Sequence, residues 1–129
     1  MNPREQAKAI AQAALRRRAQ DVLIMEMQAL MPMCDFFVLC SGRSPLHVKA
    51  IAEEVEMRME EQGSRPHHIE GLSDGQWVLM DFLNVVLHIF TPEARQHYAL
   101  ERLWADAPRE EVEDPAASQG PAGETERAE

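Results

Sequence analysis

Trp77-Val78-Leu79-Met80-Asp81-Phe82-Leu83-Asn84-Val85-Val86-Leu87-His88-Ile89-Phe90 reads as two apolar, partly β-branched runs around a short interruption. Runs of this kind form strands, and the spacing predicts a β-hairpin between Gln76 and Thr91. With Leu83-Asn84 as the turn, Phe82 faces Val85 and the register follows, because directly paired residues share a sheet face. One face then carries Val78, Met80, Phe82, Val85, Leu87 and Ile89, all apolar, and is the expected core. The other carries Trp77, Leu79, Asp81, Val86, His88 and Phe90, a mixed set with an indole, an imidazole and a carboxylate. Asp81 lies diagonally across from His88, which predicts a hydrogen bond between them. From pattern alone His88 reads either as a half-buried histidine satisfied by a neighbour or as part of a recognition surface built on aromatic anchors.

Upstream, Asn2-Pro3 has the form of an N-cap followed by a first-turn proline, and Ala7, Ile10, Ala11 and Ala14 recur at helical spacing, so a helix should run to about Arg18. Asp21 to Gln28 and Asp35 to Ser41 read as strands that pair as neighbours. Ser44-Pro45 opens a helix with Val48, Ile51, Ala52, Val55 and Met59 on one stripe, ending near Gly63. A short strand is expected at His67 to Glu70. Downstream, Thr91-Pro92 starts a helix through about Trp104, with Leu100, Leu103 and Trp104 as its buried patch, and with Tyr98 and Glu101 one turn apart on another face. The segment from Ala107 has Pro, Gly, Ser and acids around a single Val, which predicts a disordered acidic tail. The expectation is therefore one α/β (mixed α+β) domain over residues 1–106 and a tail over 107–129. Its order is α-β-β-α-β-β-β-α, a mixed sheet of about five strands flanked by helices.

A chain of 129 residues with 45% hydrophobic content is long enough for one real core. No apolar run approaches the roughly 18 to 20 residues of a membrane span, and the N-terminal stretch has charges where a signal peptide is apolar, so a cytoplasmic protein is expected. The net charge of −9 is uneven: from Ala105 onward eight acids face two arginines, leaving 11 basic against 14 acidic residues before it. That balance argues against a broad nucleic-acid surface and suits a basic protein partner. The cluster Arg16-Arg17-Arg18 sits at an expected helix end, where it favours the dipole.

Two catalytic or ligand-binding readings are weak. Ser41-Gly42-Arg43-Ser44 between a strand and a helix has the look of a phosphate-cradling loop, but nucleotidyl transfer needs converging carboxylates that hold metal ions, and no D-x-D pair follows. Ser44 is better explained as an N-cap. His47, His67, His68, His88, His97, Cys34 and Cys40 do not form a metal set: His67 and His68 point to opposite strand faces, and no helix carries an i, i+4 histidine pair. Cys34 and Cys40 fit reduced structural thiols. No catalytic residue, metal or cofactor is expected.

Five blocks resemble the ribosomal silencing factor family, also called Iojap-like proteins. They are Asp35-Phe36-Phe37-Val38 with Ser41-Gly42-x-Ser44; Glu70-Gly71; Trp77 to Asp81; Val85 to Phe90; and Arg95-x-x-Tyr98-x-Leu100-Glu101-x-Leu103-Trp104. The resemblance spans roughly Ala7 to Asp106. It implies a mixed sheet similar in topology to nucleotidyltransferases but without their catalysis. It also implies a protein that binds the fourteenth large-subunit ribosomal protein, sterically blocks subunit joining, represses translation and can assist large-subunit maturation. The family's partner surface falls on Trp77, Asp81, His88, Tyr98 and Glu101, with Glu70 close by. In that reading Trp77 and Tyr98 are anchors, the acids meet Lys or Arg of the partner, and His88 orients the face. A face carrying Trp77 and Phe90 is also able to pair two copies as a homodimer off the ribosome. The family usually has glycine in the hairpin turn, so Asn84 is expected to supply the left-handed conformation.

Overall fold

The computed structural model describes residues 1–113. Helix α1 (Pro3–Leu15) begins with a capping box: Asn2 Oδ1 accepts from the Glu5 N–H while the Glu5 carboxylate accepts from the Asn2 N–H. Strands β1 (Gln20–Glu26) and β2 (Phe36–Ser41) follow and pair antiparallel. Helix α2 (Pro45–Glu61) comes next, then β3 (His68–Glu70), β4 (Trp77–Asp81) and β5 (Val85–Phe90). The chain continues as α3 (Pro92–Tyr98), α4 (Leu100–Leu103) and β6 (Arg109–Val112).

The six strands form one sheet in the order β3-β4-β5-β2-β1-β6. All neighbours are antiparallel except β2 and β5, which run parallel. These two central strands are covered on both sides, so β2 shows no alternation and all six of its residues are buried. On one face α1 and α2 close over Val22, Ile24, Phe36, Val38, Val78, Met80, Leu87 and Ile89. On the other, Leu23, Met25, Phe37, Leu39 and Phe90 form a second, smaller core with Met27, Cys34 and Ala94. Both cysteines are free and buried, and burial pushes the Cys34 thiol up to about 11 and the Cys40 thiol up to about 12.

The hairpin register is the one that alternation predicts: Trp77 pairs with Phe90, Leu79 with His88 and Asp81 with Val86. The turn differs in one residue. Leu83, not Asn84, takes the left-handed conformation (φ 75°), and the Asn84 N–H reaches the Phe82 carbonyl at 3.1 Å in a tight γ-turn. Asp81 makes this possible by accepting the Leu83 N–H at 2.7 Å.

Three further expectations are corrected. The sheet has six strands rather than about five, and the sixth, β6, lies inside the segment expected to be a disordered tail; residues 114–129 of that tail fall outside the described residues. β6 pairs with the outer edge of β1 through backbone bonds, with Val22 opposite Val112 and Met25 opposite Arg109. The helix expected to run to Trp104 breaks at Ala99, which is left-handed (φ 48°), and Leu103 is 69% exposed rather than part of a buried patch. Helix α1 ends at Leu15, so the three arginines lie in the turn beyond it, where Arg17 pairs with Glu54 at 3.3 Å.

Candidate functional site: the outward face of the hairpin

The mixed face of β4 and β5 continues onto β3, because His68 pairs with Asp81 and Glu70 with Leu79. Between β3 and β4, Gly71 (φ 89°) passes so close to Trp77 that a Cβ would collide with the Trp77 carbonyl oxygen. Only glycine fits there, and this contact sets where β4 begins. Trp77 is then the first residue of β4, half-buried, with its ring packed 5.1 Å from Phe90 and 4.5 Å from Tyr98, centroid to centroid.

Its indole N–H donates to His88 Nδ1 at 3.1 Å. His88 is 4% exposed, and Phe37 stands edge-on to its ring at 4.6 Å. Since Nδ1 accepts, the proton of the neutral ring sits on Nε2, and that buried N–H has no partner among the described residues. Burial pushes the His88 pKa down to about 4. Charging the ring would also place a second donor against the indole N–H, which works in the same direction. The imidazole is therefore a neutral prop that fixes the plane of Trp77.

The expected bond from Asp81 to His88 is absent, because the Asp81 carboxylate turns to the Leu83 N–H at the far end of the hairpin. Glu70 is exposed at the sheet edge beside His68, whose Nε2 lies 2.6 Å from its carboxylate. Tyr98 is 49% exposed. Glu101 is partly exposed, and its carboxylate accepts from Arg95 Nε at 2.9 Å. Trp77, His88 and Tyr98 thus come together in one aromatic cluster. Glu70 and Asp81 share its sheet face, and Glu101 pairs with Arg95 on the helical segment beyond Tyr98. Sequence reasoning assigned no role to Arg95 or Phe37. The period of two does place Phe37 on the His88 face once β2 and β5 are known to be parallel neighbours; nothing in the pattern announces that pairing.

The loop Ser41-Gly42-Arg43-Ser44 uses its amides internally. Gly42 N–H donates to the Phe90 carbonyl at 2.8 Å, Arg43 N–H to His47 Nδ1 at 2.9 Å, and Ser44 Oγ accepts the His47 N–H at 3.2 Å as an N-cap. A phosphate cradle needs such donors free. Among the described residues no helix is long and apolar enough to cross a membrane.

The family pattern described as "Ribosomal silencing factor during starvation" matches residues 1–129. The ribosomal silencing factor RsfS of Bacillus subtilis (strain 168) is 38% identical over 108 residues, which is 84% of this chain and 92% of that protein. A mouse relative named "Mitochondrial assembly of ribosomal large subunit protein 1" is 33% identical over 89 residues, 67% of this chain and 39% of its own length. Among solved structures, protein CV0518 of Chromobacterium violaceum superposes with a TM-score of 0.79 at 30% identity, covering 81% of this chain and 88% of that one. With family pattern, relatives and fold in agreement, the chain belongs to the ribosomal silencing factor family.

Proposed function

We propose that this protein represses translation in the cytoplasm by docking on the large ribosomal subunit and blocking its union with the small one. The dock is the fourteenth large-subunit ribosomal protein, on the face where the small subunit would seat, and the block is steric. The observation that carries this reading is the Trp77–Tyr98 pair: two large rings 4.5 Å apart, partly open to solvent, one of them held from behind by His88. Aromatic side chains locked before binding lose little conformational freedom on contact, which is what interface anchors need. Glu70 and Asp81 lie on the same sheet face and supply acids for Lys or Arg of a basic partner, and the net charge of −9 favours its approach. A relative named for assembly of the large mitochondrial subunit supports a second role in large-subunit maturation. Off the ribosome the same aromatic face is available to a second copy of the chain.

The test is subunit joining followed by light scattering, with sedimentation of the tagged protein in parallel. Wild type should co-migrate with free large subunits and slow joining. Trp77→Ala or Tyr98→Ala should weaken binding by about 2 kcal/mol, roughly 30-fold. Unchanged binding in both variants would remove the assigned surface.

A further inference from the structure

Helix α3 is seven residues long and buries only Ala94 among them. A helix this short is marginal by itself, and one alanine cannot fix its direction by apolar burial. Yet α3 carries Tyr98 at its last position, set against Trp77. Its placement therefore depends on polar tethers. At the N-terminal end Thr91 Oγ1 donates to Gln76 Oε1 at 2.9 Å and accepts the Ala94 N–H at 3.3 Å.

At the other end the tether is Arg95. Its Nε donates to Glu101 Oε2 at 2.9 Å, and its Nη1 donates to the Asp21 carbonyl at 2.7 Å and to Ser41 Oγ at 3.0 Å. One guanidinium thus joins α3 to α4, to the start of β1 and to the end of β2. The Arg95 side chain is only 13% exposed, and its charge-assisted bonds to Glu101 and Ser41 are partly buried while the one to the Asp21 carbonyl reaches the surface. Two residues with a Cβ adopt the left-handed conformation around it: Asp21 (φ 51°), whose carbonyl meets the fork, and Ala99 (φ 48°), the break after which α4 carries Glu101 back to Arg95. That conformation is unfavourable for Ala99 and persists only where the surroundings impose it, while aspartate tolerates it better. Hollows of about 660 and about 390 Å³ flank the junction and share Asp21, Arg95 and Glu101 as walls.

We infer that Arg95 is a positioning residue for docking. Its fork sets the direction of α3 and so holds Tyr98 against Trp77. Glu101 acts from inside as the counter-charge of Arg95 and does not touch the partner. The functional half of this inference rests on the docking surface proposed above; the structural half does not.

The experiment uses the full chain in a Trp104→Phe background, which leaves Trp77 as the sole indole. Near-ultraviolet circular dichroism and fluorescence of Trp77 are recorded for Tyr98→Leu, Arg95→Met, Arg95→Lys and Glu101→Gln. Arg95→Met should reproduce the spectral change of Tyr98→Leu while unfolding in urea stays cooperative, with Arg95→Lys and Glu101→Gln falling between it and wild type. An unaltered Trp77 signal in Arg95→Met overturns the inference. Large-subunit binding supplies the second readout. Tyr98→Leu and Arg95→Met should each weaken it at least 10-fold, and the double variant should be no weaker than Tyr98→Leu. Losses that multiply would mean that Arg95 meets the partner directly, against the inference. If Tyr98→Leu and Trp77→Ala both bind like wild type, the docking surface fails while the Trp77 spectrum still decides the positioning role. Should Arg95→Met not fold, Glu101→Gln, which keeps the bonds to Asp21 and Ser41, carries both readouts.

Discussion

His88 makes stability depend on pH through a group that the fold keeps neutral. In the unfolded chain its imidazole titrates near 6.5, while in the folded protein burial holds it down to about 4. As pH falls below 6.5 the unfolded chain takes up a proton that the folded protein refuses. Stability is thus full above 6.5, falls between 6.5 and about 4, and loses nothing more from this group below that. The slope reaches about 1.4 kcal/mol per pH unit, so lowering pH from 7.5 to 4.5 should cost the fold about 2.5 kcal/mol through this one ring. Carboxylates titrate in part of the same range, and the comparison must cancel them. His88→Leu does so, since it removes the ionisable group and the unpartnered N–H and leaves the Trp77 indole, which is partly exposed, to find water. At neutral pH the variant should lie within about 1 kcal/mol of wild type, because a lost hydrogen bond and a removed orphan donor oppose each other. Urea unfolding of both proteins at four pH values between 7.5 and 4.5 gives the difference directly. The wild-type minus variant stability should decline by about 2.5 kcal/mol across that span. A difference that stays constant would refute the buried, neutral imidazole.

Other perturbations test other links. Leu83→Gly should raise unfolding stability by about 0.5 to 1 kcal/mol, since glycine adopts positive φ without a Cβ clash and the leucine side chain is 53% exposed; chemical denaturation reads this, and a loss of stability would contradict the γ-turn. Asp81→Asn keeps an acceptor for the Leu83 N–H, so it should alter the salt dependence and association rate of ribosome binding with little change in stability. Asp81→Lys should cost about 1 kcal/mol of fold as well, and kinetics over a salt series separates the two effects. Truncation after Ala107 removes β6 and bares the edge of β1, which should lower the melting temperature and promote self-association. Calorimetry and light scattering would report both, and an unchanged melting temperature would contradict the β1–β6 pairing.

Much of the mixed hairpin face was legible in the order of residues. In the hairpin, side chains alternate with a period of two and the chain reverses within a few residues, so local spacing alone put Trp77 and His88 on one side and Val78 and Ile89 on the other. The caps at Asn2, Ser44 and Thr91 were readable for a similar reason: each bonds an amide three residues away, and both partners are visible in one short window. The remainder required the tertiary structure. Strand β6 has the polar composition of a tail and exposes most of its side chains; it is ordered by backbone bonds to β1, to which composition is blind. Glu101 stands six residues from Arg95, a spacing that no regular helix brings together, and they meet because Ala99 turns left-handed between two short helices. His88 had a carboxylate within diagonal reach, yet a shorter-range demand, the Leu83 N–H in a turn without glycine, claimed Asp81 first. Local periodicity thus sorted side chains by face. Which of them touch was decided by backbone geometry and by competition for hydrogen-bond partners, which depend on neighbours far away in the chain.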